Sequence, residues 1–170
     1  MSRHQDSSNC NRRQRGFTLI EALVALTLLG VGLIPAFIQA SNSIALADSV
    51  QNSLVATHLA QEGVEVVRAI RDDDWFAGSA FGASLGGCAS GCLVQYDSPS
   101  LIPLTDNPAL KRDQTGLFNY DSGTATIYHR MVTITPVSPH ELKVVVSVTW
   151  TERTGAKHFD VEDHLFDWLK

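Results

Sequence analysis

The chain has 170 residues, of which 44% are hydrophobic and 18% are charged. This length suits a single domain, and the charged share lies below the roughly one quarter typical of soluble domains, so part of the chain is unusually apolar. The net charge of -5 argues against a general nucleic-acid-binding protein, which needs surplus Lys and Arg to meet phosphates.

The charge is unevenly distributed along the chain. Residues 1–16 contain four arginines and one acid, a net charge of +3, which leaves -8 on the other 154 residues. This first segment is rich in Ser and Asn and shows no apolar periodicity. A basic N-terminus in front of an acidic body is typical of a targeting signal.

An apolar run follows the basic segment. The 26 residues from Ala22 to Ala47 carry no formal charge. As a helix they would span about 39 Å, more than the roughly 30 Å of a bilayer's hydrocarbon core. We therefore predict a membrane-spanning helix over residues 17–40. The positive-inside rule then places the arginines in the cytoplasm and the chain after residue 40 on the other, oxidising side.

A secretory signal peptide also joins arginines to an apolar run. Its apolar core is only 7–15 residues long and ends at a small-residue cleavage site, which Ala40 and the three residues after it could mimic. Glu21 favours the membrane helix, because a carboxylate within the run is costly in lipid unless it is paired or uncharged. A conventional signal peptide has no use for such a residue.

The junction between the two segments, Arg15–Ala25, reads RGFTLIEALVA. With its basic leader, Gly16, Phe17, Glu21 and unbroken apolar run, it resembles the N-terminus of type IV prepilins and of type II secretion pseudopilins. The resemblance implies that prepilin peptidase removes residues 1–16, cutting between Gly16 and Phe17, and methylates the new amine of Phe17. A glycine without Cβ would let the backbone enter a tight active site.

The resemblance also implies a role for Glu21, which would pair with the N-terminal amine of a neighbouring subunit during assembly. Two charges buried in lipid are costly apart and compensate one another when joined. Considered without the family, a protonated carboxyl or one that reaches up to the membrane interface would also explain this residue.

Residues 41–72 continue the helical pattern as an amphipathic half. Its apolar positions recur at helical spacing: Val55, Leu59, Val66 and Ile70, with Ala56, Ala60, Gly63 and Val67 beside them. Ala60 and Gly63 would permit close approach to a sheet. The arrangement matches an α+β pilin fold, one long helix on a small antiparallel sheet, and Ala60–Arg68 resembles the helix of minor pilins of the PilV type.

Residues 73–116 are predicted to form a long αβ-loop, because Gly, Ser and Pro recur throughout, with a short strand at Leu93–Tyr96. The three carboxylates of Asp72–Asp74 could ligate calcium, but the further spaced oxygens of an EF-hand are missing. We interpret them as exposed acids at the end of the helix.

The loop contains two cysteines, Cys88 and Cys92. Removal of the leader takes Cys10 away and leaves this pair, which is expected to oxidise outside the cytoplasm and close a small disulfide ring. A redox-active or metal-binding pair is the alternative, although it lacks both a Cys-x-x-Cys at a helix start and a second pair of ligands.

Residues 117–170 change to strand patterns. Three segments alternate or are rich in Val, Ile and Thr, namely Thr126–Val137, Glu141–Glu152 and Lys157–Asp167. They predict an antiparallel meander of three or four strands packed by one face on the helix. Four side chains alternate on the last strand and could hold a metal, although solvent-facing polar alternation explains them as well: His158, Asp160, Glu162 and His164. We predict no metal, no cofactor and no catalytic residue.

These features predict a structural subunit, a minor pilin of a type IV pilus-like filament that acts in pilus assembly or at the tip. It would sit in the inner membrane as a single-pass protein with its later part outside the cytoplasm, and then enter an extracellular filament or pseudopilus. The expected partners are prepilin peptidase, other pilin subunits, the inner-membrane assembly platform and lipid, and not nucleic acid. Two alternatives stay open: a type II secretion pseudopilin, and a single-pass membrane-anchored binding module that never assembles.

Overall fold

A computed structural model describes residues 16–168. The predicted leader, apart from Gly16, lies outside the described residues, as do the last two residues of the predicted sheet domain. The chain divides into two compact units between Leu46 and Ala47. We call residues 16–46 the apolar unit and residues 47–168 the sheet unit.

One helix, α1 (Leu19–Phe76), supplies residues to both units. It continues through Pro35 and ends at Phe76, beyond the predicted end at Asp72. Gly78 stops it in the left-handed conformation with φ +71°. The Ser79 amide donates to the Asp74 carbonyl, and the Gly78 amide donates to the Trp75 carbonyl, each at 2.9 Å. These two bonds form a Schellman cap, which satisfies carbonyls that the helix end would otherwise leave free.

The loop that follows α1 fixes the side chain of Asp74 in the last turn of the helix. Its carboxylate accepts hydrogen bonds from the Ser84 amide at 2.8 Å and the Ser84 hydroxyl at 2.5 Å, and the residue is only 8% exposed. Our interpretation of Asp72–Asp74 as exposed acids is therefore wrong for Asp74. Asp73 is exposed and Asp72 half-buried.

Eight strands follow a short 3₁₀ turn at Ala83–Leu85: β1 (Cys92–Leu93), β2 (Ile102–Pro103), β3 (Lys111–Arg112), β4 (Phe118–Asn119), β5 (Thr124–Ala125), β6 (His129–Ser138), β7 (Glu141–Glu152) and β8 (Gly155–Phe166). They form two antiparallel sheets, one in the order β2-β1-β6-β7-β8 and one in the order β4-β3-β5. The predicted meander corresponds to β6–β8, and the α+β fold class is confirmed. The predicted loop contributes β1 and β2 to the main sheet and β3 to the second sheet, and the short strand predicted at Leu93–Tyr96 is instead β1 at Cys92–Leu93.

Small residues let the later half of α1 approach the main sheet closely. Ala56 and Ala60 have no exposed surface, and Leu59 is 2% exposed. A Cβ atom on Gly63 would lie 2.8 Å from the Val146 Cγ1 atom of β7. The close approach predicted at Ala60 and Gly63 is therefore confirmed, and the core of the sheet unit lies between this part of the helix and β6–β8.

A fully buried arginine, Arg130 of β6, joins three parts of the sheet unit. Its guanidinium donates to the carbonyls of Leu59 at 3.0 Å and Val94 at 2.6 Å, and to the Glu62 carboxylate at 2.8 Å. A buried charge is costly unless it is paired and hydrogen-bonded. Arg130 meets both conditions through α1 and the segment after β1, although its Nε atom has no partner within the described residues.

Candidate functional site

Residues Gly16–Thr18 lie directly before α1 and are not helical. Thr18 caps the helix. The Glu21 amide donates to the Thr18 hydroxyl oxygen at 3.3 Å and to the Thr18 carbonyl at 3.1 Å. Thr18 is thus the N-cap, and Glu21 holds the third helical position, the spacing of a capping box. A carboxylate in the first turn is also favoured by the helix dipole.

Sequence reasoning missed this capping role, although the signal was readable: Thr18 and Glu21 stand at T-x-x-E spacing directly before an apolar run. The side chain of Glu21 is exposed, and within residues 16–168 its carboxylate has no ion-pair partner. Pairing with a neighbouring subunit therefore stays a prediction.

The glycine at the predicted cleavage position is not required by the packing of the described chain. A Cβ atom on Gly16 would meet no atom within 4 Å, and its backbone is not in the left-handed region. Gly63 differs, because its Cβ would collide with the sheet. The fold thus explains Gly63 and leaves Gly16 without a structural reason inside this chain.

The apolar unit exposes its large side chains. Phe17 and Leu19 are each 80% exposed and Phe37 is 76% exposed. By length and composition α1 can cross a bilayer, and its most apolar 18-residue window has a mean hydropathy of 2.2 with none of its residues buried. Such a surface fits a membrane anchor and needs lipid or other chains to cover it.

The cysteine pair lies against the main sheet. A disulfide joins Cys88 and Cys92, whose Cα atoms are 5.3 Å apart, and Gly91 makes the turn with φ +109°. Cys92 is opposite Val132 of β6, and the Cys88 carbonyl accepts the Ile134 amide at 3.1 Å. Both cysteines are almost fully buried. Burial suits a structural bond, because thiol exchange needs access to a sulfur.

The four alternating side chains of β8 are all exposed. Within residues 16–168 no group of three or more His, Cys, Asp or Glu side chains could hold a metal ion. The His164 ring instead contacts the carboxylates of Glu141 at 2.6 Å and Glu162 at 3.2 Å, and Lys143 pairs with Glu162 at 2.5 Å. The hydrogen bond to Glu141, followed by that to Glu162, raises the pKa of His164, whereas Lys143 lowers the pKa of Glu162.

The carboxylate of Glu152, at the end of β7, binds the first residues of α1 that belong to the sheet unit. It accepts hydrogen bonds from the Trp150 indole at 2.9 Å, the Ser49 hydroxyl at 3.0 Å and the Asn52 amide at 3.3 Å. The bond from Trp150 is the largest cause that lowers the pKa of Glu152, with Ser49 and Asn52 adding to it. This cluster is structural and fixes α1 against the end of β7.

A long helix is apolar and exposed at its start and packs on an antiparallel sheet by its later half, which is an α+β architecture consistent with the pilin fold. Residues 11–37 match the family described as the prokaryotic N-terminal methylation motif, the leader of type IV pilin-like proteins. The match contains Gly16, Phe17 and Glu21, so the resemblance is confirmed at the level of the motif. A search of curated proteins found no match to this chain, and a search of solved structures found none either.

Proposed function

We propose that the protein is a subunit of a type IV pilus-like filament, cut by prepilin peptidase between Gly16 and Phe17 and methylated on the Phe17 amine. The observation that carries this proposal is the methylation motif over residues 11–37, which coincides with the start of an exposed, membrane-length apolar helix. A subunit of this kind needs both a leader for processing and an apolar surface that lipid covers before assembly and other subunits cover afterwards.

Within this class we propose a minor pilin that acts in pilus assembly or at the tip. The long segment between α1 and β6 supports this, because it carries its own disulfide and a separate three-stranded sheet and so offers a distinctive surface. Before assembly the chain would cross the inner membrane once, with the sheet unit outside the cytoplasm. Other pilin subunits and the assembly platform would be its partners. A type II secretion pseudopilin shares the motif and is the second candidate.

Processing is tested at Gly16. Since the fold does not need this glycine, Gly16→Leu should leave the folded chain unchanged and block cleavage, and mass spectrometry should find the leader retained. Gly30→Leu is a matched control, because a Cβ there also meets nothing within 4 Å, and its N-terminus should be N-methyl-phenylalanine. Normal cleavage of the Gly16 variant would contradict the proposal, and an unprocessed wild-type chain would favour the anchored binding module.

Assembly is tested at Glu21, whose carboxylate would pair with the amine of an adjacent subunit. An unpaired charge in a lipid-like environment costs several kcal/mol. Loss of the Glu21 carboxylate would leave that amine unpaired, so incorporation should fall by about tenfold or more. Glu21→Ala removes both the charge and the capping-box residue, whereas Glu21→Gln keeps a residue suited to capping and removes the charge. The measurement is the amount of protein in sheared filaments relative to membranes.

The two variants separate the roles of Glu21. If charge pairing drives assembly, Gln and Ala should impair incorporation equally while the sheet unit stays folded. If only Ala impairs it, Glu21 acts through the helix cap. An unchanged ratio in both variants would show that Glu21 is dispensable for this subunit or that the chain does not assemble.

A further inference from the structure

An aromatic groove lies where the end of α1 meets the end of β8. It is a cavity of about 740 Å³, lined by the last turn of the helix, by residues 79–81 of the loop after it and by residues 166–168. Exposed aromatic side chains gathered in one cavity mark a binding site, because soluble proteins seldom leave such a cluster open to water. Four aromatic side chains of the lining are between 42% and 78% exposed: Trp75, Phe76, Phe166 and Trp168.

The aromatic rings of the groove leave their faces open. The ring centroids of Trp75 and Phe76 are 4.9 Å apart with the planes at 55°, and those of Phe166 and Trp168 are 6.1 Å apart at 76°. Neither pair is stacked face to face, so each pair presents uncovered ring faces. Phe76 is 78% exposed and Trp168 is 77% exposed. A flat molecular face made of C–H groups can pack on such rings.

The charged groups at the rim of the groove already have partners within the sheet unit. Arg71 contacts the Oδ1 atom of Asp72 through Nε at 2.8 Å and through Nη2 at 2.7 Å. The Asp167 carboxylate contacts the His140 ring at 3.3 Å. An ionic occupant would have to break these pairs and give up its own hydration. The aromatic groove therefore favours a neutral occupant.

The same rim groups keep hydrogen-bonding capacity. Because both contacts of Arg71 go to Oδ1, the Oδ2 atom of Asp72 makes no hydrogen bond within residues 16–168, and the Asp72 side chain is 51% exposed. A guanidinium carries more N–H donors than the pair with Asp72 uses. The ion pair thus holds an acceptor and donors in place beside the rings. A purely apolar occupant would leave these groups without hydrogen bonds.

We propose that the aromatic groove binds a neutral saccharide. A sugar ring has a face of C–H groups that packs on the Trp and Phe rings, and its hydroxyls donate to the Asp72 carboxylate and accept from Arg71. The cavity suits a short oligosaccharide, since pockets for small organic ligands measure roughly 300–1,000 Å³. This inference goes beyond the proposed function and concerns the sheet unit alone, so it holds or fails independently of processing at Gly16 and of assembly through Glu21.

Binding is tested with the full-length chain in lipid nanodiscs, because many detergents carry sugar headgroups that would compete. The probes are short neutral oligosaccharides of glucose, galactose, mannose and N-acetylglucosamine, their sulfated counterparts, and a set of apolar peptides. At least one neutral sugar should bind with a Kd between micromolar and millimolar and change the tryptophan fluorescence. Saturation-transfer NMR should show contact between protein aromatic protons and the C–H protons of the sugar.

The other probes decide between occupants. Binding of the sulfated sugars alone would indicate an ionic ligand, and binding of the peptides alone would indicate a protein partner. Either result, or no binding of any probe, would overturn the proposal.

Substitutions locate the bound sugar. Trp168→Ala removes a largely exposed ring and should weaken binding about tenfold. Tyr96→Ala is the matched control, because it removes an aromatic side chain that is 42% exposed and lies outside the groove, and its Kd should equal that of the wild type. An unchanged Kd in Trp168→Ala, or equal weakening in both variants, would contradict the assignment to the aromatic groove.

The role of the rim is tested at Asp72. Asp72→Ala removes the acceptor and should weaken binding, whereas Asp72→Asn keeps an acceptor oxygen at the same place and should weaken it less. Equal affinity in the wild type and Asp72→Ala would show that the sugar hydroxyls do not bond to this carboxylate.

Discussion

The two units differ in what their apolar side chains contact, although one helix supplies residues to both. In the apolar unit Leu19, Leu28 and Phe37 are each at least 68% exposed, whereas in the sheet unit Ala60 and Val67 have no exposed surface. The apolar unit has large residues that no part of the unit covers. The sheet unit uses small helical residues that let a sheet approach. Apolar side chains are thus available to other molecules in the apolar unit, whereas they form the chain's own core in the sheet unit.

The largest loss of stability is expected from removing Arg130, the buried cation of the sheet unit. Arg130→Ala leaves the Leu59 and Val94 carbonyls and the Glu62 carboxylate without their donor. Breaking a buried pair in this way should cost about 3–5 kcal/mol in the free energy of unfolding. Urea unfolding followed by tryptophan fluorescence measures it. Arg112→Ala, at an exposed site, should change stability by less than about 0.5 kcal/mol, and equal losses in both variants would refute the assignment.

The comparison between the units is tested directly by one substitution made in each. Gly63→Val forces atoms into Val146 and should destabilise the sheet unit by about 1–3 kcal/mol through overpacking. Gly30→Val, in the apolar unit, meets no atom within 4 Å and should leave the same unfolding transition in place. A loss of stability in the Gly30 variant as large as that in Gly63→Val would show that the two units do not differ as described.

The disulfide should contribute less to global stability. Closing a ring of five residues restricts the unfolded chain only slightly, so reduction should lower the free energy of unfolding by about 2 kcal/mol or less. Thiol labelling of the denatured, unreduced protein tests the bond. The processed chain should label at no cysteine, and the uncleaved chain only at Cys10. Labelling of Cys88 and Cys92 would show that the bond is absent.

The smallest expected effect is a pH dependence at the exposed face of β8. His164 has a raised pKa because it bonds to Glu141 and Glu162, and Lys143 is the other charge in that group. The stabilisation that protonated His164 contributes to the folded state is therefore complete below the ordinary histidine pKa of about 6.5. It is lost as the pH rises through the higher pKa of the folded state. The midpoint of urea unfolding should fall slightly between about pH 6 and pH 8, and less in His164→Asn. High salt should reduce this change with pH, because the charged groups are exposed and salt screens them.

Regular spacing made the main elements predictable from the sequence. The bounds predicted for β7, Glu141–Glu152, agree with the structure, because the segment is rich in Val and its buried residues Val144, Val146 and Val148 recur at every second position. Gly63 could be assigned to a close helix–sheet contact because it falls on the apolar stripe of an otherwise ordinary helix. The junction around Gly16 was readable because its residues form a contiguous motif.

Other features depend on residues distant in the chain and could not be read in this way. The buried Asp74 carboxylate is hydrogen-bonded by Ser84, ten positions later. Arg130 shares the buried face of β6 with Val132 and Ile134, and only folding brings two carbonyls and Glu62 around it. The strands β2 to β5 have two residues each, too few to show any periodicity.

The distance along the chain between partners in the sheet unit also sets an order of events during synthesis. Arg68 pairs with Asp163, 95 positions later, and Arg130 bonds to Leu59, 71 positions earlier. At roughly 5–20 residues per second, β8 is made about 5–20 s after the helix it closes over. Contacts so far apart also form slowly, because a long loop must close first. For those seconds the apolar stripe of α1 lacks some of the strands that later cover it, so a nascent chain of this topology exposes part of the stripe until its sheet is complete.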